Sequence, residues 1–160
     1  MGTRPRLHPL LLTALLIAVP LGAVRAAPPD HAIPMTHKGA STYYVRGTIA
    51  GYGSVEFLVD TGSGYTTISE HTLAILRRSG DATFVRTLTG MLADGTRRVV
   101  PVYRIRSITL GRGCVLRDID AAVFSHRVRP ILGLSALEKA APFLFSTSPP
   151  RLVVSNCATS

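Results

Sequence analysis

Beyond residue 40 the chain is a succession of short runs in which apolar, β-branched and aromatic residues alternate with polar ones, separated by glycine, proline and aspartate. A period of two with turn residues between the runs is the signature of β-strands. The first run is "STYYVRGTI", residues 41–49. "AGYG" then turns the chain into "SVEFLV", and the two runs make a hairpin whose second strand carries Asp60 at its end. That strand becomes wholly apolar at Phe57-Leu58-Val59, as expected of a strand buried on both faces. The period turns helical in "EHTLAILRR", residues 70–78. Ser69 is placed to cap this helix, Glu70 sits in its first turn, Arg77 and Arg78 in its last, and Gly80 ends it. "TFVRTLTGML" and "TRRVVPVYRI" flank Ala93-Asp94-Gly95, and an Asp-Gly pair between two strand-like runs predicts a projecting hairpin. "RSITLGRGCVLRDIDAAVF" supplies two more strands about a Gly-Arg-Gly turn. In "RPILGLSALEKAAPF" Ser135 and Glu138 have the spacing of a capping box, which predicts a short helix that stops before Pro142. "FLFS", a Pro149-Pro150 turn and "RLVVS" close the pattern. Many short strands and two short helices predict an all-β class fold, one domain over residues 41–156 with a tail at 157–160.

The first 40 residues follow other rules. Arg4 and Arg6 precede the apolar run "LLLTALLIAVPL", and "AVRA" offers small residues for cleavage near Ala26, so residues 1–26 read as a secretory signal peptide. The run is about a dozen residues long and is interrupted by Pro20, short of the roughly 20 that a bilayer span needs; an uncleaved anchor is the alternative. Export to the periplasm or the medium follows from the first reading. Residues 27–40, "APPDHAIPMTHKGA", are proline-rich without periodicity and read as a flexible leader.

Charge and cysteine content change this picture little. The formal charge of +9 falls to about +6 once Arg4, Arg6 and Arg25 leave with the signal. The remaining arginines are scattered, without the aromatic and basic clustering of a nucleic-acid module, so they read as a solvated basic surface. His31, His37, His71 and His126 show no metal-ligand spacing, and neither metal nor cofactor is expected. Cys114 and Cys157 belong to an exported chain, where a disulfide is permitted; a buried free Cys114 with an unpaired Cys157 is the other possibility.

The candidate chemistry lies in "FLVDTGSGYTTIS". A carboxylate at the end of an apolar strand loses much of its water and needs a group to share or stabilise its charge. Gly62 and Gly64 remove side chains that would crowd Asp60, and Thr61 offers a hydroxyl able to donate and accept. Such a place suits peptide hydrolysis by water between two carboxylates that share one proton. Ser63 and Ser135 do not lie in a G-x-S-x-G elbow, which argues against a serine hydrolase.

"VDTGSG" at residues 59–64, the Asp94-Gly95 hairpin about 35 residues later and "ILG" at 131–133 before a short helix together resemble the retropepsin-like (clan AA) aspartic proteases, more closely their exported bacterial type. The resemblance spans roughly residues 41–155. It implies a closed β-barrel of the acid-protease fold with one lobe per chain. It also implies that Asp60 is the catalytic acid and base, that Thr61 locks two active-site loops across a dimer, and that Gly62 allows substrate to come close. Ser63 would help hydrogen-bond the carboxylate. Ser63 and Gly64 would line the substrate site, Ala93, Asp94 and Gly95 would form the tip of a flap over an extended polypeptide, and Ile131, Leu132 and Gly133 would thread beneath the Asp60 loop. Tyr65, Met91, Leu92 and Val123 are candidates for pocket walls. One Asp-Thr-Gly per chain leaves the second carboxylate to a second copy, so a homodimer and an acidic activity optimum are expected. A non-catalytic peptide-binding or dimerisation module on the same scaffold is the competing reading.

Overall fold

A computed structural model describes residues 31–91, 95–125 and 128–158. Ten strands and two helices follow one another: β1 (His31–His37), β2 (Tyr43–Ile49), β3 (Gly53–Val59), β4 (Thr66–Ser69), α1 (Glu70–Arg78), β5 (Ala82–Met91), β6 (Arg97–Leu110), β7 (Cys114–Phe124), β8 (Ile131–Leu132), α2 (Leu134–Leu137), β9 (Phe143–Thr147) and β10 (Pro150–Val154). They form one sheet in the order β5-β6-β7-β4-β8-β3-β2-β1-β10-β9. An extra pairing of β2 with β6, through Gly47–Leu110, Thr48–Thr109 and Ile49–Ile108, closes the central six strands on themselves. Closure brings the two backbones so near that a Cβ at Gly47 would stand 2.8 Å from the Thr109 carbonyl oxygen, which is why a glycine sits at this corner.

Period-two patterning fills the interior. Val45, Phe57, Ile68, Ile105, Ile108, Ile119 and Leu132 are almost fully buried, and Leu76 from α1 closes one end. Ser69 caps α1 as the sequence predicts, its hydroxyl accepting from the Thr72 amide at 3.1 Å. The mostly-β fold with two short helices agrees with the sequence reading.

Two expectations need correction. Residues 31–37 are a strand rather than a flexible leader: β1 pairs with β10 through His31–Pro34 and with β2 through Met35–His37. Ile33 and Met35 alternate inward there and are buried, so tertiary packing overrides the prolines. The capping box of α2 does not form. Gly133 is the N-cap, and the Ser135 hydroxyl is spent elsewhere, donating to the Asp120 carbonyl at 2.7 Å and accepting from the Thr66 amide at 2.8 Å. Of the two possibilities left open for the cysteines, the bridge is the one that forms. Cys157 forms a disulfide with Cys114, and Val115 and Ala158 exchange backbone hydrogen bonds of 3.0 and 3.2 Å.

Candidate active site

The Asp60 loop gets its shape from β8. This two-residue strand lies between β3, parallel to it, and β4, antiparallel to it, so a segment more than sixty residues further on slots between the two strands that flank the loop. The Asp60 amide donates to the Leu132 carbonyl at 3.1 Å and the Leu58 amide to that of Pro130 at 3.0 Å. On the far side of the loop the Leu134 amide donates to the Ser63 carbonyl at 2.8 Å and the Ser135 amide to that of Gly64 at 3.1 Å. Only glycine fits between these bonds: a Cβ at Gly133 would stand 2.3 Å from the Tyr65 carbonyl oxygen. Ile131, Leu132 and Gly133 therefore thread below the loop as expected.

Within the loop Asp60 is half-buried, and its Oδ1 accepts from the Gly62 amide at 2.9 Å. A backbone donor aimed at a carboxylate fixes its orientation. A Cβ at residue 62 would meet the same oxygen at 3.2 Å, so Gly62 keeps the acid unobstructed. Thr61, Gly62 and Gly64 are exposed. Ser63 departs from expectation. Its hydroxyl donates to the Tyr65 carbonyl at 2.8 Å, bracing the turn instead of reaching the Asp60 carboxylate.

Beside the loop opens an apolar groove of about 580 Å³. Ser63, Gly64 and Tyr65 border it, Leu88 comes from β5, and Phe124 and Ile131 supply further apolar wall. Tyr65 is a wall residue as predicted. Val123 is not: it is buried in the core, while its neighbours Ala122 and Phe124 on the opposite face of β7 line the groove. Period two in "AAVF" carries that distinction, once the inward face of β7 is fixed. Ala93, Asp94 and Leu92 lie outside the described residues, and the side chain of Met91 is not described; Gly95 is exposed at φ +81° in the β5–β6 connection.

A second, polar cavity of about 290 Å³ shares Gly64 and Tyr65 with the groove. In it Arg104 Nε donates to Asp120 Oδ1 at 2.9 Å and Arg86 Nη2 donates to the Tyr65 hydroxyl at 2.7 Å. Both arginines are held above their ordinary pKa, Arg86 first by its hydrogen bond to Tyr65 and Arg104 first by that to Asp120. Asp120 is thereby committed to arginine. The sequence did not single out Arg86, because nothing in "TFVRTL" indicates which face of β5 it occupies.

Among the described residues no group of three or more His, Cys, Asp or Glu could hold a metal ion, and no helix is long and apolar enough to cross a membrane.

Residues 45–139 match the model of a protein family described as "gag-polyprotein putative aspartyl protease". Among solved structures the chain is similar to a retropepsin-like aspartic protease from Rickettsia conorii, with 16% identity and a TM-score of 0.59 over 84% of this chain and 97% of that one. No curated protein matches.

Proposed function

The chain belongs to the gag-polyprotein aspartyl protease family and has the retropepsin-like fold, and from that premise we propose that it is an aspartic endopeptidase acting as a homodimer. The observation that carries the reading is Asp60 itself: one half-buried carboxylate at the end of β3, oriented by the Gly62 amide and braced by β8, in a loop whose Ser63 and Gly64 border an apolar groove.

In the proposed reaction the Asp60 carboxylates of two copies share one proton. The ionised one takes a proton from water, whose oxygen bonds to the carbonyl carbon of the scissile peptide. The protonated one gives its proton to the carbonyl oxygen. The tetrahedral adduct then collapses: the carboxyl that took water's proton gives it to the nitrogen, the C–N bond breaks to release the amine, and a hydroxyl of the adduct returns its proton to the other carboxylate as the C=O bond re-forms, leaving a carboxylic acid and the one-proton pair. Thr61, exposed beside the acid, is suited to lock the two loops together across the two-fold axis. Gly62, Ser63 and Gly64 border the path of an extended polypeptide, and Ala93, Asp94 and Gly95 would cover it.

The edge of β9 supplies a surface for the second copy. Among the described residues β9 is the outermost strand of the sheet, paired on one side with β10 only. Leu144 and Phe145 point to opposite faces of it, yet both are exposed, and Phe143–Thr147 holds no charge or proline of the kind that normally guards a free edge. β9 also follows directly on α2, whose first amides hold the Asp60 loop. The reading further includes export after removal of residues 1–26, which N-terminal sequencing of the mature protein would check by a start near Ala27.

The deciding experiment compares wild type and Asp60→Asn on a peptide library at acidic pH. Cleavage by the first and a loss of at least about a thousandfold in the second are expected. Equal cleavage by both would overturn the proposal.

A further inference from the structure

Arg86 stands where a regular strand would not put it. In β5, Phe84 pairs with Tyr103 but Arg86 pairs with Val102, so a one-residue irregularity lies between them. Residues opposite each other in an antiparallel pair share a face, and successive residues of β6 lie on opposite faces. Phe84 and Arg86, which an unbroken strand would place on the same face, are therefore on opposite ones. Phe84 stacks edge-on against Tyr103, with ring centroids 5.5 Å apart. Arg86 joins the face of Val102, Arg104, Asp120 and Ala122, which is the face that borders the groove. Such irregularities re-aim side chains beside functional sites.

The re-aimed guanidinium closes a circuit. Arg86 Nη2 donates to the Tyr65 hydroxyl at 2.7 Å, and its Cζ stands 5.7 Å from the centre of the Tyr65 ring. The same nitrogen is 3.8 Å from Asp120 Oδ2. Asp120 is fixed from both sides, its carboxylate by Arg104 and its carbonyl by Ser135, and Ser135 in turn holds the amide of Thr66, the residue after Tyr65. Tyr65 is thus clamped at its backbone and at its ring tip by residues from four elements. Tyr65 lines both the apolar groove and the polar cavity, and its hydroxyl is held from the polar side by Arg86.

We propose that Arg86 is a positioning residue for substrate selection: by holding the Tyr65 ring against the groove it sets the size of the apolar peptide side chain that the groove admits. The inference rests on the peptide-cleaving reading of this site. Releasing the ring should widen the groove and weaken its grip on a bulky side chain without touching Asp60.

The test uses peptides that differ only in the residue entering the groove, from alanine through leucine to phenylalanine, with Arg86→Met, Tyr65→Phe, the double variant and Arg86→Lys. Each single variant should raise KM for the leucine and phenylalanine peptides about tenfold while kcat changes less than about twofold. The alanine peptide should respond little, and the double variant should be no worse than either single one, since both remove the same bond. Arg86→Lys keeps a charge and a donor and should fall between. Melting temperatures should stay within a few degrees of wild type, because the Arg86 side chain is 46% exposed and an ion pair open to water contributes little to stability. Additive losses, or equal losses for all peptides, would overturn the inference. Calorimetric binding of the same peptides to Asp60→Asn protein with and without the Arg86 change separates the two claims. Size-dependent binding that needs Arg86, without hydrolysis by wild type, would sink the enzymatic reading alone; hydrolysis with no such dependence would sink this inference alone.

Discussion

Replacing Gly133 by alanine tests whether the β8 crossing shapes the Asp60 loop. The residue has φ −94°, which any amino acid adopts, so the change carries no penalty of backbone conformation. All of its cost is steric. The new Cβ would stand 2.3 Å from the Tyr65 carbonyl oxygen, 2.5 Å from its carbon and 2.8 Å from the Ser63 oxygen. Ordinary contact begins near ~3.5 Å, so the two segments must part by about 1 Å. Overpacking costs about 1–3 kcal/mol where side chains can yield, and here only main chain is available. Parting also strains the bonds from Leu134 to Ser63 and from Ser135 to Gly64, each worth about 1 kcal/mol. The expected loss is about 3–5 kcal/mol, a large part of the ~5–15 kcal/mol that holds a domain together. Urea unfolding followed by circular dichroism, at one fixed protein concentration because self-association would shift the midpoint, reads this loss directly. Gly64→Ala is the control: its Cβ meets nothing within 4 Å, and the change should stay within about 0.5 kcal/mol. A loss under about 1 kcal/mol for Gly133→Ala would refute the reasoning, since the crossing would then not be tight.

Three further outcomes are expected. Leu144→Asp combined with Phe145→Asp should shift the protein towards monomer in sedimentation equilibrium and abolish cleavage at low concentration, with secondary structure retained; an unchanged dimer would exclude the β9 edge. Replacing Cys114 and Cys157 together by serine should cost about 2–4 kcal/mol in urea unfolding, because the bridge spans 43 residues and removes much freedom from the unfolded chain. Ser135→Ala should cost about 1–3 kcal/mol by the same measurement, since it strips the fully buried Thr66 of the acceptor for its amide.

What the sequence made legible follows from how local each signal is. The apolar run before Asp60, the cap of α1 at Ser69 and the Gly-Arg-Gly turn between β6 and β7 are fixed by neighbours within a few residues, and all appear in the structure. β1 was not legible as a strand because Pro29 and Pro34 dominate its surroundings and both partners that hold it, β2 and β10, are supplied from elsewhere. The capping-box pattern at Ser135 misled for a related reason: Thr66 and Asp120, distant in sequence, compete for the hydroxyl with better geometry than the local amide offers. In the site, Asp60 and its glycines could be read directly. Arg86 could not, since the irregularity that turns it towards Tyr65 has no mark in the sequence such as a glycine.

The threading of β8 has a consequence for timing. Leu58 and Thr67 both pair with Ile131, more than sixty residues further on. A ribosome delivers Asp60 long before it delivers that strand, and contacts of such sequence separation form late. During synthesis the acid therefore rides on an unfinished loop, lacking the amide-to-carbonyl clamps that would aim it; on the proposed reading as a protease, the young chain could cleave nothing until residues 131–135 had emerged and folded beneath it.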